Sequence, residues 1–274
     1  MSLISLHSYA QRYELGFNGA GTGYLGDINS TNPLYIKSFG GGVFVKYNID
    51  PTWGFKAAIN HLHLKGDDQD FDNDFQQLRN LKFQNQLSEL AMTVEFNFLS
   101  AYNNRRTSTF TPYIFAGIAG LRHDPYIYYG DEKIRLRPLL LEFEKEEEEQ
   151  KLYAKYSVAI PIGFGFKYKL NSSWSVGAEL NYRLAFTDYL DNVSKSYANA
   201  IPTNLDLPNI SIKDGNETRK FDLEDWAYLV DPSSNFDSNL GVARGDGRKK
   251  DGYMTAGITL TYTIFSRNCF SWVK

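Results

Sequence analysis

The stretch SVGAELNYRLAFTDYLD, from Ser175 to Asp191, places an apolar residue at every second position of its first half: Val176, Ala178, Leu180, Tyr182, Leu184 and Phe186. Glu179, Asn181 and Arg183 fall between them. Successive residues of a strand face opposite sides, so strict period two specifies a β-strand with two chemically different faces. The pattern recurs along the chain. Tyr13, Leu15 and Phe17 alternate with Arg12, Glu14 and Asn18, and Phe39 to Ile49 with Ser38, Gly42, Lys46 and Asn48. Trp53 to Ile59 alternate with Lys56 and Asn60, and Leu90 to Phe98 with Glu89, Thr93, Glu95 and Asn97. Tyr156 to Leu170 alternate with Lys155, Lys167 and Lys169, and Met254 to Ile264 with Thr255, Thr259, Thr261 and Thr263. With a less regular segment from Tyr113 to Leu121, where Ile114 and Ile118 oppose Tyr113 and Phe115, eight strands are predicted. Pro112, and Pro161 within the sixth strand, cannot donate to a ladder.

The connections alternate in length. Asn48 to Thr52 and Asn171 to Ser173 are tight turns rich in Asn, Asp, Pro and Ser, and the link around Asn103, Asn104, Arg105 and Arg106 is moderate. Four others, near 24–37, 65–86, 122–154 and 188–250, are long and polar. With an even number of strands, the long loops fall at one end of the barrel and the tight turns and both termini at the other.

Alternation alone does not say which face is outside. The apolar faces carry about thirty large side chains, many of them drawn from the 19 Tyr and 19 Phe, whereas the opposite faces are mostly Gly, Ser, Thr, Ala and Asn. An eight-stranded barrel has an interior just wide enough for side chains to fill. Large residues must therefore point out and small ones in, and a wall of Phe, Leu, Ile and Tyr suits lipid rather than water. The same volume limit argues against a soluble lipocalin-like carrier. The fold expected is an all-β, eight-stranded antiparallel transmembrane β-barrel with short periplasmic turns and long extracellular loops, and aromatics near strand ends such as Tyr47, Trp53, Phe98, Trp174 and Phe186.

The inward faces carry Glu14, Lys46, Lys56, Glu89, Glu95, Lys167, Glu179 and Arg183. In a narrow lumen such charges are expected to pair and plug it, because an unpartnered buried charge is costly; the alternative is a proton or ion path.

The remaining features bound the function. A net charge of -3 offers no basic surface for nucleic acid, and one cysteine, Cys269, excludes an internal disulfide. Residues 1–11, MSLISLHSYAQ, read as the remnant of a signal peptide, with Ser8-Tyr9-Ala10 spaced like a cleavage site, or as an ordinary disordered terminus. The run Gly16-x-x-Gly19-x-Gly21-x-Gly23 lacks the following helix that a phosphate loop needs, and reads as small residues packing a strand end. Asp68, Asp70, Asp72 and Asp74 alternate as in a calcium loop, but Asn73 stands where Gly belongs and Arg79 where a bidentate Glu belongs, so a hydrated acidic surface loop is expected, with loose divalent-cation contact as the alternative. His61 and His63 share a strand face without a third metal ligand. Glu144 to Glu149 form a solvated charge run, and Arg244-Gly245-Asp246 is an adhesion tripeptide by coincidence. No catalytic constellation is visible, and no enzyme, metal, cofactor or small-molecule substrate is expected.

Several stretches together resemble one family: Tyr13-Glu14-Leu15-Gly16 with Tyr24-Leu25-Gly26-Asp27, LAMTVEFNF (Leu90 to Phe98), FTPYIFAGIAG (Phe110 to Gly120), AIPIGFGFKYKL (Ala159 to Leu170), FTDYLDNVS (Phe186 to Ser194), and Arg244-Gly245 ahead of Asp251-Gly252-Tyr253. The chain resembles the PorG family of outer-membrane barrels of the type IX protein secretion machinery. The resemblance implies the outer membrane of a Gram-negative bacterium, and a role anchoring a periplasmic ring of PorK-like lipoprotein and PorN-like subunits. On that reading residues 12–265 are the barrel and 266–274 a periplasmic tail. Asp50, Pro51, Asn103, Asn104, Arg105, Arg106, Asn171 to Ser173 and the tail residues Phe270 and Trp272 are candidate partner contacts. Phe270 and Trp272 read equally as interfacial aromatics. Thr187, Asp188, Tyr189 and Asp191 read as a strand-to-loop brace held by Asp hydrogen bonds, with a contact surface as the alternative. The alternative function is a stand-alone barrel whose outer loops bind a ligand or surface component.

Overall fold

The computed structural model describes residues 12–32, 34–99, 109–142, 152–202, 205–214, 217–233, 239–247 and 249–264. Among the described residues twelve strands follow in chain order. Eight form the wall: β1 (Arg12–Leu25), β2 (Ile36–Asn48), β3 (Trp53–Asp67), β4 (Lys82–Asn97), β5 (Phe110–Arg122), β8 (Tyr156–Lys169), β9 (Trp174–Ala185) and β12 (Gly252–Ile264). Two short hairpins, β6 (Tyr126–Tyr129) with β7 (Glu132–Arg135) and β10 (Ser211–Asp214) with β11 (Glu217–Lys220), and two short helices, α1 (Asp74–Arg79) and α2 (Leu223–Val230), belong to the loops.

The wall runs β3-β2-β1-β12-β9-β8-β5-β4, and pairing of β3 with β4 closes it into an eight-stranded antiparallel barrel. At one end the β2–β3 and β8–β9 turns use the same device. Asp50 Oδ1 accepts from the backbone N–H groups of Thr52 (2.7 Å) and Trp53 (2.8 Å), and Asn171 Oδ1 from those of Ser173 (2.9 Å) and Trp174 (2.8 Å). These side chains replace the backbone partners that a tight reversal leaves unmet. The long connections all leave from the other end.

The alternating faces sort as their volumes require. Ile258 is 67% exposed and Phe17 64%, and Leu15, Val45, Ile59, Met92, Ile118, Ile162 and Leu260 join them on the outside. Toward the turn end, aromatic pairs ring the wall: Tyr13 with Tyr47, Trp53 with Phe96, and Trp174 with Tyr262, at centroid distances of 5.3, 4.9 and 5.0 Å. Apolar surface of this extent is unstable against water and matches the hydrocarbon band of a bilayer.

The rule of large outside and small inside fails on β5. Tyr113 and Phe115 point into the lumen and are buried, as is Phe44 on β2. The reason lies on the facing strand: a Cβ on Gly165 would lie 2.5 Å from Tyr113 Cζ, and one on Gly163 2.5 Å from Phe115 Cζ. Glycine at both positions is what makes room for the rings. Pro161 is also accommodated: the β5–β8 ladder pairs Ala116 with Ile162 and resumes at Ala119 with Ala159, while Pro161 pairs with Arg183 on the β9 side.

The long connections, expected to be polar, also carry an apolar core of their own. Leu139, Leu141, Leu190, Val193, Tyr197, Phe221, Trp226 and Val230 from the long loops pack with Leu64 and Phe83 from the ends of β3 and β4 into one buried apolar cluster above the lumen. The helix α2 contributes to it and starts at a capping box, Asp222 with Asp225. Strands β3 and β4, 15 and 16 residues long, stay paired up to Asp67 and Lys82 and carry this cap, and β6 adds to β4 at Gln84.

Candidate functional site

Inside the barrel the eight charged residues meet in three groups. Nearest the turns, Lys46 Nζ lies 3.0 Å from Glu14 Oε2 and 2.9 Å from Glu95 Oε1, and Lys167 pairs with the same Glu95. Midway, Lys56 Nζ is 2.8 Å from Glu179 Oε1, which also accepts from the Tyr113 hydroxyl (2.7 Å). Toward the loops, Arg183 donates to Glu89 through Nε (2.7 Å) and Nη2 (3.1 Å), and Tyr253 and Asn60 complete the shell of Glu89 at 2.6 and 2.7 Å. Four carboxylates thus face four cations. Cavities of about 40 Å³ beside Asn60 and Asn181 and about 30 Å³ beside Glu14 and Lys167 line the same passage. Each has room for little more than one or two waters.

At the turn end, the carboxylate of Asp50 is committed to its own turn, and Pro51 is half-buried. Asn103, Asn104, Arg105, Arg106, Phe270 and Trp272 lie outside the described residues, as do residues 1–11, the tail after Ile264 and the Glu144 to Glu149 run.

At the mouth, the ends of three adjacent wall strands bring four aspartates together. Asp27 follows β1, Asp188 and Asp191 follow β9, and Asp251 precedes β12; all four are buried. Oxygens of Asp27, Asp191 and Asp251 lie within 4.8 Å of one another. The Tyr24 hydroxyl sits between Asp191 Oδ2 (2.6 Å) and Asp251 Oδ1 (2.9 Å) and accepts from the Asp27 backbone N–H (3.0 Å). Backbone N–H groups hold the other oxygens: Val193 on Asp191 Oδ1 (2.8 Å), Leu190 on Asp251 Oδ2 (2.9 Å) and Asp246 on Asp27 Oδ1. Burial, and then repulsion among these carboxylates, raises Asp191 and Asp251 well above the carboxylate range. Burial likewise lifts Asp27 to about 7.

Two arginines stand beside the cluster, each engaged elsewhere. Arg79 donates to Asp68 (2.8 and 2.7 Å) and to the Asp27 carbonyl (3.0 Å). Arg244 donates to Glu142 Oε1 (3.3 Å) and the Asn192 carbonyl (2.7 Å). Asp68 is therefore no part of a hydrated surface loop: it is fully buried, and Arg79, standing where a calcium loop has Glu, is its partner. Asp70 pairs with Lys37 at 2.8 Å. Arg244 is buried, so the Arg-Gly-Asp tripeptide is not displayed.

Within the FTDYLDNVS stretch, Asp188 Oδ2 accepts from Ser194 Oγ (2.7 Å) and Thr187 Oγ1 from the Tyr189 backbone N–H (3.2 Å). The Tyr189 ring stacks on Tyr153 at 4.3 Å, and Tyr153 on the fully buried His123. Burial lowers the His123 pKa to about 4. His61 and His63 form an edge-to-face pair on the outer wall.

Residues 1–217 match a family described as a domain of unknown function, DUF6089. The chain belongs to the DUF6089 family. No curated protein matches this DUF6089 member. Among solved structures it is similar to Neisserial surface protein A, at 9% identity and TM-score 0.44, covering 91% of this chain and 96% of that one. It is also similar to the N-terminal β-barrel domain of Pseudomonas aeruginosa OprF, at 10% identity, TM-score 0.38 and coverages of 92% and 97%. A third is Ail, the attachment invasion locus protein of Yersinia pestis, in complex with the heparin analogue sucrose octasulfate, at 7% identity, TM-score 0.41 and coverages of 93% and 100%.

Sequence reasoning placed the lumen charges but not the aspartate cluster of this DUF6089 chain. A signal existed: Asp27, Asp188, Asp191 and Asp251 each lie in a stretch singled out for resemblance, YLGD, FTDYLDNVS and the Asp251-Gly252-Tyr253 segment.

Proposed function

We propose that this protein is a non-enzymatic outer-membrane barrel of the PorG type, which anchors a periplasmic ring of the type IX secretion machinery through its turn face. The observation that carries this reading is the combination of an apolar outer wall with a lumen filled by paired charges. Such a barrel is fitted to be held in a bilayer and poorly fitted to conduct, which favours a mounting role over a pore. The PorG-like stretches give the role its specific form, with PorK-like and PorN-like subunits as partners. Photo-crosslinkers at Pro51 and Ser172 in intact cells test it. Crosslinks to the ring lipoprotein, with loss of secretion when the barrel is deleted, are expected. Absence of both would overturn the reading.

The second reading, a stand-alone barrel whose outer loops take a ligand, is favoured by one feature. The cap encloses a cavity of about 330 Å³ lined by Ile28, Tyr129, Leu141, Asp191, Tyr228 and Arg244 among others. Such mixed apolar and polar concavities are where small ligands bind. Intact secretion in a deletion strain, with loss of surface binding, would select it.

A further inference from the structure

We propose that Asp27, Asp191 and Asp251, supported by Asp188, form a calcium site that locks the cap onto the barrel mouth. Oxygens held about 2.4 Å from a common calcium ion lie at most about 4.8 Å apart. The three carboxylates offer one oxygen each within that span. Each is mounted at the end of a different wall strand, and β9, β12 and β1 are consecutive neighbours in the barrel. Backbone N–H groups fix one oxygen of each carboxylate, and the second oxygens of Asp191 and Asp251 meet at the Tyr24 hydroxyl.

A second observation points to a ligand. Asp27 is 5% exposed, and its Oδ2 accepts no hydrogen bond among the described residues; the same holds for Oδ1 of Asp188, 9% exposed. The single Tyr24 hydroxyl proton can serve only one of Asp191 and Asp251. Among the described residues no arginine or lysine side chain bonds a carboxylate of the trio: Arg79 bonds Asp68, and Arg244 bonds Glu142 and the Asn192 carbonyl through Nη1 while its buried Nε meets no hydrogen-bond partner. Arg79 attracts Asp27 and Asp191 without bonding either carboxylate, which leaves the buried carboxylates in excess over nearby cations; that excess is costly, and a divalent cation removes the cost.

The donor set selects the ion. Carboxylate oxygens without His or Cys suit a hard cation, and calcium accepts an irregular set of oxygens where magnesium demands a near-ideal octahedron. Asp191 also lines the cap cavity, which provides a route in. The backbone is pressed close here: a Cβ on Gly26 would overlap the Tyr24 hydroxyl and Asp251 Oδ1.

The test uses the full chain folded in detergent micelles at neutral pH. Equilibrium dialysis against calcium is expected to show one tightly bound ion per chain, and calcium relative to EDTA should slow protease cleavage of the outer loops. The Asp27→Asn/Asp191→Asn pair should weaken calcium binding by at least about tenfold. In EDTA its loops should be as protected as those of the wild type or better, because two buried like charges are gone. Asp70→Asn/Asp72→Asn, in the other acidic loop, should bind calcium normally. If the first pair fails to fold, Asp27→Asn alone serves, since its remaining oxygen keeps the Asp246 contact. No bound calcium in the wild type, equal loop cleavage in calcium and EDTA, or loss of binding in the Asp70→Asn/Asp72→Asn variant instead, would each overturn the proposal.

Discussion

The lumen and the mouth of this barrel both bury carboxylates, and they neutralise them in different ways. In the lumen Glu14, Glu89, Glu95 and Glu179 are matched by Lys46, Lys56, Lys167 and Arg183, all carried by the wall strands themselves. At the mouth, Asp27, Asp188, Asp191 and Asp251 gather on strand ends while the nearby arginines bond Asp68 and Glu142. A closed set of charges specifies a permanent structure. An unbalanced set leaves a place for something else to bind, and the difference separates a scaffold from a candidate site within one short barrel.

The largest effect expected from that contrast is in the lumen. Replacing Arg183 with Leu leaves Glu89 charged and buried, which costs about 3–5 kcal/mol. The urea midpoint of the micelle-bound protein, followed by tryptophan fluorescence, should fall accordingly, and adding Glu89→Leu should recover most of the loss. An unchanged midpoint in the single variant would mean that the pairing does not neutralise the lumen.

Next is the cap. Trp226 is buried, and its Nε1 donates to the Leu139 carbonyl at 2.7 Å. Trp226→Ala should cost about 3–5 kcal/mol of cap packing. Proteases should then cut the outer loops while the barrel keeps its heat-modifiable mobility on gels. If the wall unfolded with the cap, the two regions would be one cooperative unit and the contrast would dissolve.

A pH dependence distinguishes the regions further. His123 titrates near 4 when folded and near its ordinary value of about 6.5 when unfolded. Between those values the unfolded chain binds the extra proton, so cap stability is intact above about pH 6.5 and is lost as the pH falls toward 4, by at most about 3 kcal/mol. Loop cleavage should accelerate over that window, and His123→Phe, which keeps a ring against Tyr153, should flatten the response.

The smallest effect concerns the inward rings of β5. Gly165→Val would drive a side chain into Tyr113, at a cost of about 1–3 kcal/mol. Tyr113→Ala in the same chain should restore part of it, as read from the same urea midpoint.

These regions also differ in how far the sequence exposes them. The lumen charges could be read because period two assigns every strand residue a side, and Glu179 and Arg183 sit plainly between apolar neighbours. Tyr113 and Phe115 could not, because what admits them is Gly163 and Gly165, more than forty positions later along the chain and adjacent only in the folded wall. The cap was hidden for a different reason. Leu139, Leu190, Phe221 and Trp226 follow no shared period, and their common core exists only once the strands bring their loops together. The capping box at Asp222 was a local sign of α2 inside what otherwise reads as loop. Asp68 shows the converse: its alternation with Asp70 and Asp72 suggested exposure, and Arg79, eleven residues on, reversed it.

The length of β3 and β4 has a mechanical consequence. At roughly 3.3 Å per residue and a tilt near 40°, their 15 and 16 residues rise roughly 40 Å, against an apolar band of about 25 Å. The surplus is a continuous ribbon of sheet standing clear of the lipid, with no hinge between it and the wall. Whatever docks on the outer face would meet a platform at a fixed height and angle, and any pull on that platform would pass along two hydrogen-bonded rails to the opposite end of the barrel.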